Sequence, residues 1–261
     1  MATNKGVNNA QNNIIGQDNN GHLEGDVFGG PGAVATPAFN PTTGFMWTGT
    51  GQTNTGYVSS TDGNIQTAEK INHRTDGDYT PTINPDNGRA DYTVNAGTQI
   101  GNPARAEWNW NYVDNVAAGT PASDSAGLAA LPDLGQYDLK MLITESRPGF
   151  IHSDVFDFNS ANHVWTAENT LNAGGVNKLA FGGDDFAPGN LAPTGVQSHV
   201  TENSENVAFL QGANATDGFG TLPGMTAAGT QWDFKEAVFQ GGTGHMLSST
   251  DVHVLIAASS V

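Results

Sequence analysis

Residues 105–114, RAEWNWNYVD, constrain this chain more than any other stretch. Ala106, Trp108, Trp110 and Tyr112 fall at every second position with Glu107, Asn109 and Asn111 between them. A period of two is the mark of a half-buried strand. Residues 137–145, YDLKMLITE, repeat it, with Tyr137, Leu139, Met141 and Ile143 on one face and Asp138 and Lys140 on the other. Further strands are predicted over 151–158, 163–166, 196–200, 206–210, 231–239 and 251–258. Helical periodicity is nearly absent, and one short helix is predicted around 128–131. Asp62-Gly63, Asp76-Gly77, Asn87-Gly88 and Asp217-Gly218 punctuate the strands, because glycine takes positive φ at little cost. The expectation is an all-β fold, an antiparallel β-sandwich of jelly-roll or immunoglobulin-like type over residues 41–261.

Residues 1–40 differ. They are rich in Asn, Gly, Ala and Pro, with Asn8-Asn9, Asn12-Asn13 and Asn19-Asn20 pairs, and cannot bury enough surface alone to offset their ordering entropy. An extended arm is expected, gaining order by lying along a sheet, its own or a neighbouring subunit's.

Charge narrows the partners. Asp and Glu number 26 against 9 Lys and Arg, a net charge of −17. A field of that sign repels nucleic acid and anionic membranes, and the scattered cations form no basic patch. No run approaches the ~20 apolar residues of a membrane span, and MATNKGVNNAQNN carries no apolar core of a usual signal peptide. Cysteine is absent, so neither disulfides nor thiolate metal sites can hold the fold. Calcium is the cation this composition suits, since clustered carboxylates and amides supply hard oxygen ligands. Three acidic turns are candidates: Asp18, Asn20, Glu24 and Asp26 in QDNNGHLEGD; Asp76 and Asp78, near Asp86, Asn87 and Asp91; and Asp184 and Asp185 in the GGDD loop. The first lacks the twelfth-position Glu of an EF-hand, and each taken singly is more often a solvated turn.

No nucleophile elbow, zincin helix, phosphate loop or dinucleotide fingerprint is present, so no catalytic residue is assigned and a non-enzymatic role is expected. Glycoside hydrolysis needs only two neighbouring carboxylates, for which Glu107 beside Trp108 and Trp110, or Glu236 beside Trp232, would be candidates. Alternation turns Glu107 away from the tryptophan face. The histidines, including His253 on the polar face of its strand, show no ligand spacing. Lys140 and Lys235 lie opposite the apolar faces of their strands, where solvation is expected in place of an intramolecular isopeptide bond.

The segments NPARAEWNWNYVDN, LPDLGQYDLKMLITESRPG, DVFDFNSANHVWTAEN, TENSENVAFL and HMLSSTDVHVLI together resemble a loose group of bacterial extracellular β-sandwich surface and matrix proteins. Residues 12–26 are similar in flavour to the Gly/Asn/Asp tracts of calcium-binding secreted proteins, without their repeated nonapeptide. The resemblance implies an extracellular or cell-surface location and a structural role, and carries over no functional residue. The expectation is a subunit of a filament, sheath or biofilm matrix that polymerises with itself through the arm and is stabilised by calcium. The alternative is a calcium-dependent, lectin-like adhesin module holding polysaccharide on exposed Trp47, Tyr57 and Trp165.

Overall fold

The computed structural model describes residues 57–62, 64–73, 77–84, 89–117, 125–161, 164–167, 180–182, 199–211 and 219–258, with short pieces at 14–15, 38–40 and 45–47. The first strands are β1 (Ile14–Ile15), β2 (Ala38–Asn40), β3 (Phe45–Trp47), β4 (Tyr57–Asp62), β5 (Ile65–His73) and β6 (Gly77–Asp78). Then follow β7 (Thr82–Ile83), β8 (Ala90–Asn95), β9 (Thr98–Gln99), β10 (Asn102–Ala106), β11 (Trp108–Asn115) and β12 (Tyr137–Arg147). The last are β13 (Phe150–Asn159), β14 (Val164–Ala167), β15 (Ala180–Gly182), β16 (Val200–Glu205), β17 (Gln231–Gln240) and β18 (His245–Ala257). Among the described residues the helices are α1 (Ser125–Ala129), α2 (Leu222–Met225) and two 3-10 turns, Leu134–Gln136 and Val207–Leu210. The protein is all-β. Among the described residues no helix is long and apolar enough to cross a membrane.

Two sheets carry the architecture. One runs β1-β4-β5-β11-β16 with β6 beside β5, and the other runs β15-β14-β13-β12-β17-β18-β8-β7. Their inner faces share one core, in which Trp110 of β11 stacks on Phe234 of β17 at 4.7 Å and Trp108 meets Trp232 at 6.5 Å. Alternation explains β12 and β17: Leu139, Met141 and Ile143, then Trp232, Phe234, Glu236 and Val238, are buried while the positions between them are partly or fully exposed. A tight turn at Pro148-Gly149 joins β12 to β13, proline supplying its fixed φ and Gly149 a φ of 77°. β4 and β5 pair antiparallel up to Asp62 opposite Ile65, and β7 and β8 pair with Ile83 opposite Ala90, while Gly63, Asp76 and Asn87-Gly88 lie outside the described residues. Asp217-Gly218 lies outside the described residues.

Four expectations need correction. The pairing is not wholly antiparallel, since β18 and β8 run parallel, Val252 opposite Ala90 through Ala257 opposite Asn95. The strand over 105–114 is broken at Glu107 into β10 and β11, and β11 is buried on both faces. Asn206 causes the break to hold its shape: its Oδ1 accepts from the Ala106 N–H at 2.8 Å, and its Nδ2 reaches the Ala106 and Trp108 carbonyls at 3.0 and 2.9 Å. The same side chain accepts from Ala208 N–H, so residues 207–210 coil into a 3-10 turn where a strand was expected. Finally, β16 starts at Val200, where the predicted 196–200 strand was to end.

Candidate functional site

Of the acidic turn residues, Asp18, Asn20, Glu24, Asp26, Asp76, Asp184 and Asp185 lie outside the described residues. Asp78 closes β6, opposite Asn72 of β5. Among the described residues no group of three or more His, Cys, Asp or Glu side chains has metal-holding geometry.

Trp165, which the lectin-like alternative needs on the surface, is wholly buried, edge-on to Tyr112 at 5.9 Å and beside Phe158 at 5.1 Å. A core tryptophan cannot stack on a sugar. Lys140 and Lys235 sit on the outer face, paired with Asp157 at 2.7 Å and Asp251 at 2.9 Å. Glu107 occupies the β10–β11 bend, 3.7 Å from His73. Glu236 has the opposite fate. It is enclosed between the sheets, on the same face of β17 as Trp232 and Phe234.

Glu236 belongs to a constellation that β11 and β5 complete. Asp114 shares the inward face of β11 with Trp110 and Tyr112, while Glu69, opposite Tyr112, shares the inward face of β5 with Ile71. All three carboxyls are fully buried. The Trp110 indole N–H donates to Glu69 Oε1 at 2.9 Å, and the Thr250 hydroxyl faces Glu69 without a well-formed hydrogen bond. Among the described residues no N–H or hydroxyl donates to any oxygen of Asp114 or Glu236, and these two carboxyls can hydrogen-bond each other only when a proton is shared between them. Burial pushes Glu69 up to about 8, opposed by the nearby Thr250 hydroxyl and the Trp110 hydrogen bond and reinforced by the Asp251 and Asp114 charges. Burial likewise pushes Asp114 up to about 7, against the Glu236 hydrogen bond. Glu236 is raised well above the ordinary carboxyl range by burial, then by Asp114 and Glu69. Such a trio holds protons near neutrality.

Beside it the interior stays polar. Thr67 and Ser248 hydroxyls meet across the sheets at 2.9 Å, and Ser248 donates to the Ser60 carbonyl. The alternation that marks Trp108 and Trp110 as inward marks Asp114 as inward too, so its place was readable. The approach of Glu69 and Glu236 to it was not, since that depends on sheet packing.

The outer face of β17, β18 and β8 carries a different set of charges. His253 Nδ1 lies 2.8 Å from Asp233, Arg89 is 3.9 Å from Asp233, and Arg89 pairs with Asp91 at 2.7 Å. Partial burial opposes ionisation of Asp233, but the His253 hydrogen bond and the His253, Arg89 and Lys235 charges hold its carboxyl below its ordinary value. A third cluster is structural. Fully buried Glu145 accepts from Arg147 Nε at 3.0 Å and from the Gly220 N–H at 2.7 Å, fixing the approach to α2.

These features define an all-β protein with two sheets about one core. No family model, no curated protein and no solved structure matches the chain.

Proposed function

We propose that the chain folds as a β-sandwich and serves as a non-enzymatic structural subunit of an extracellular bacterial assembly, a filament, sheath or matrix. Its N-terminal arm donates a strand to the sheet of a neighbouring copy. One observation supports this reading: Ile14–Ile15 pair antiparallel with β4, Ile14 opposite Val58 and Ile15 opposite Tyr57, as the outermost strand of their sheet. A strand far from its partner in sequence can leave its own sheet and make the same backbone bonds on another copy. A head-to-tail exchange of that kind leaves one arm and one edge open at each end, so it propagates into an open polymer.

The test compares the full chain with a deletion of residues 1–40 by light scattering and negative-stain microscopy. Polymer from the full chain and monomer from the deletion are expected. The variant Ile15→Pro, which removes one backbone donor from the short strand, should weaken assembly without removing the arm. A monomeric full chain, or polymer undiminished in both variants, overturns the reading.

Calcium, held by acidic turns such as Asp18 to Asp26 or Asp184 and Asp185, would relieve the repulsion of a −17 chain. At a hundred times its dissociation constant an ion bound only to the folded state adds about 2.7 kcal/mol, several degrees in melting temperature. Melting curves in calcium and in EDTA at matched ionic strength should differ by that amount. Coincident curves would remove calcium from the account.

A further inference from the structure

We propose that Glu69, Asp114 and Glu236 form a proton-held latch: protonated, they allow the two sheets to close, and ionised, they force open the polar end of the interior. The proposal stands on placement. The three carboxyls come from β5, β11 and β17, thus from both sheets, and none reaches solvent. The four oxygens of Asp114 and Glu236 have no hydrogen-bond donor among the described residues. Two carboxylates in contact without a cation repel, and an enclosed charge lacking hydrogen bonds is costly. A single shared proton removes both penalties.

The surroundings offer little compensation. Glu69 is faced by the Trp110 indole and Asp114 from β11 and by Thr250 from β18, and the charge of Asp251, on the other face of β18, adds to the repulsion. Opposite Glu236 in register stand Met141 of β12 and Thr250 of β18. From β4, Asp62 stands at the hairpin end opposite Ile65, and Glu205 of β16 lies opposite Trp110. The cations next in sequence alternate to the other faces of their strands: Lys70 beside Glu69, and Lys235, which binds Asp251. Lys140 of β12 binds Asp157 on the outer face. Proton occupancy therefore decides whether this end of the interior can stay shut.

The sign follows from linkage. A carboxyl raised by folding keeps a proton that the unfolded chain releases, so its stabilising effect is full below the ordinary carboxyl range and is lost as pH rises through the folded value. The folded values here are about 7 for Asp114 and about 8 for Glu69. Asp233 acts oppositely, its contribution fading only as pH falls below the ordinary carboxylate range. Greatest stability is thus expected in mild acid.

The experiment is thermal unfolding of the full chain, followed by tryptophan fluorescence in EDTA at constant ionic strength, between about pH 5.5 and 8.5. The wild type should lose on the order of 10 °C across that range. The double variant Asp114→Asn with Glu236→Gln should lose much less. An equal slope in the variant, or a wild-type melting temperature that rises with pH, overturns the proposal. Should the double variant not fold, carboxyl carbon resonances of the wild type decide: three that titrate above about pH 6 support the latch, and ordinary midpoints for all carboxyls sink it. Added calcium supplies a last arm. If it abolishes the wild-type slope through a shift absent from the double variant, a cation and not a proton occupies the trio, and the latch is wrong.

Discussion

The two ends of the interior are built on the same strands and could hardly differ more. At one end Trp108, Trp110, Trp232 and Phe234 pack as rings, Phe234 lying nearly parallel to Trp232 at 10° and to Trp110 at 17°. At the other, the next inward positions are acids and hydroxyls. Along β11 the inward face passes from Trp110 through Tyr112 to Asp114, and along β5 from Ile71 through Glu69 to Thr67. On the second sheet it passes from Phe234 to Glu236 along β17, and from Val252 through Thr250 to Ser248 along β18. On β17 and β18 the change falls at one paired position, Glu236 opposite Thr250, with Val238 apolar again beyond it, while on β5 it comes one inward position earlier than on β11, Glu69 standing opposite Tyr112. Burial alone therefore does not make a region of this protein stable at every pH: the aromatic end is held by area removed from water, the polar end by protons and hydrogen bonds.

Breaking the aromatic end should have the largest effect. Phe234→Ala opens a cavity among three tryptophans and should cost about 3–5 kcal/mol. That lowers the melting temperature by on the order of 10 °C, by similar amounts in mild acid and mild base. A strongly pH-dependent loss would show that the two ends are coupled and not separate. The smallest effect expected is that of Thr67→Val at the polar end. Ser248 keeps its bond to the Ser60 carbonyl and loses only the Thr67 hydroxyl, so about 1 kcal/mol is expected, read as a shift of a few degrees in the same melts. A loss as large as that of Phe234→Ala would mean that the hydroxyls, and not the carboxyls, govern this end.

Much of the fold was legible. The alternations over 137–145 and 231–239 correspond to β12 and β17, and the apolar run 251–258 to the inner part of β18. The short helix expected near 128–131 overlaps the end of α1, which runs from Ser125 to Ala129. The misses have local causes with distant partners. Nothing in VAFL announces a 3-10 turn; Asn206 imposes it while bonding backbone around Ala106, about a hundred residues away. Trp165 sits in a Thr- and Asn-rich stretch that leaves a surface reading open beside the core one, and Tyr112 and Phe158, far apart in sequence, enclose it. Asn109 and Asn111 read as the wet face of a strand, yet both are buried, where Asn111 donates to Asn72 at 2.5 Å.

By itself the sequence determined that this is an all-β chain, where several of its strands and turns fall, and which residues on each strand share a face. Those are local properties, fixed by the two-residue pleat and by the φ freedom of a few glycines. Only the tertiary structure decided that β8 lies parallel to β18, that β11 is covered on both faces, and that Glu69, Asp114 and Glu236 meet. The pleat sets to which side a side chain points. Which other strand waits on that side depends on sheet order and register among residues far apart in the chain, and no local pattern encodes it.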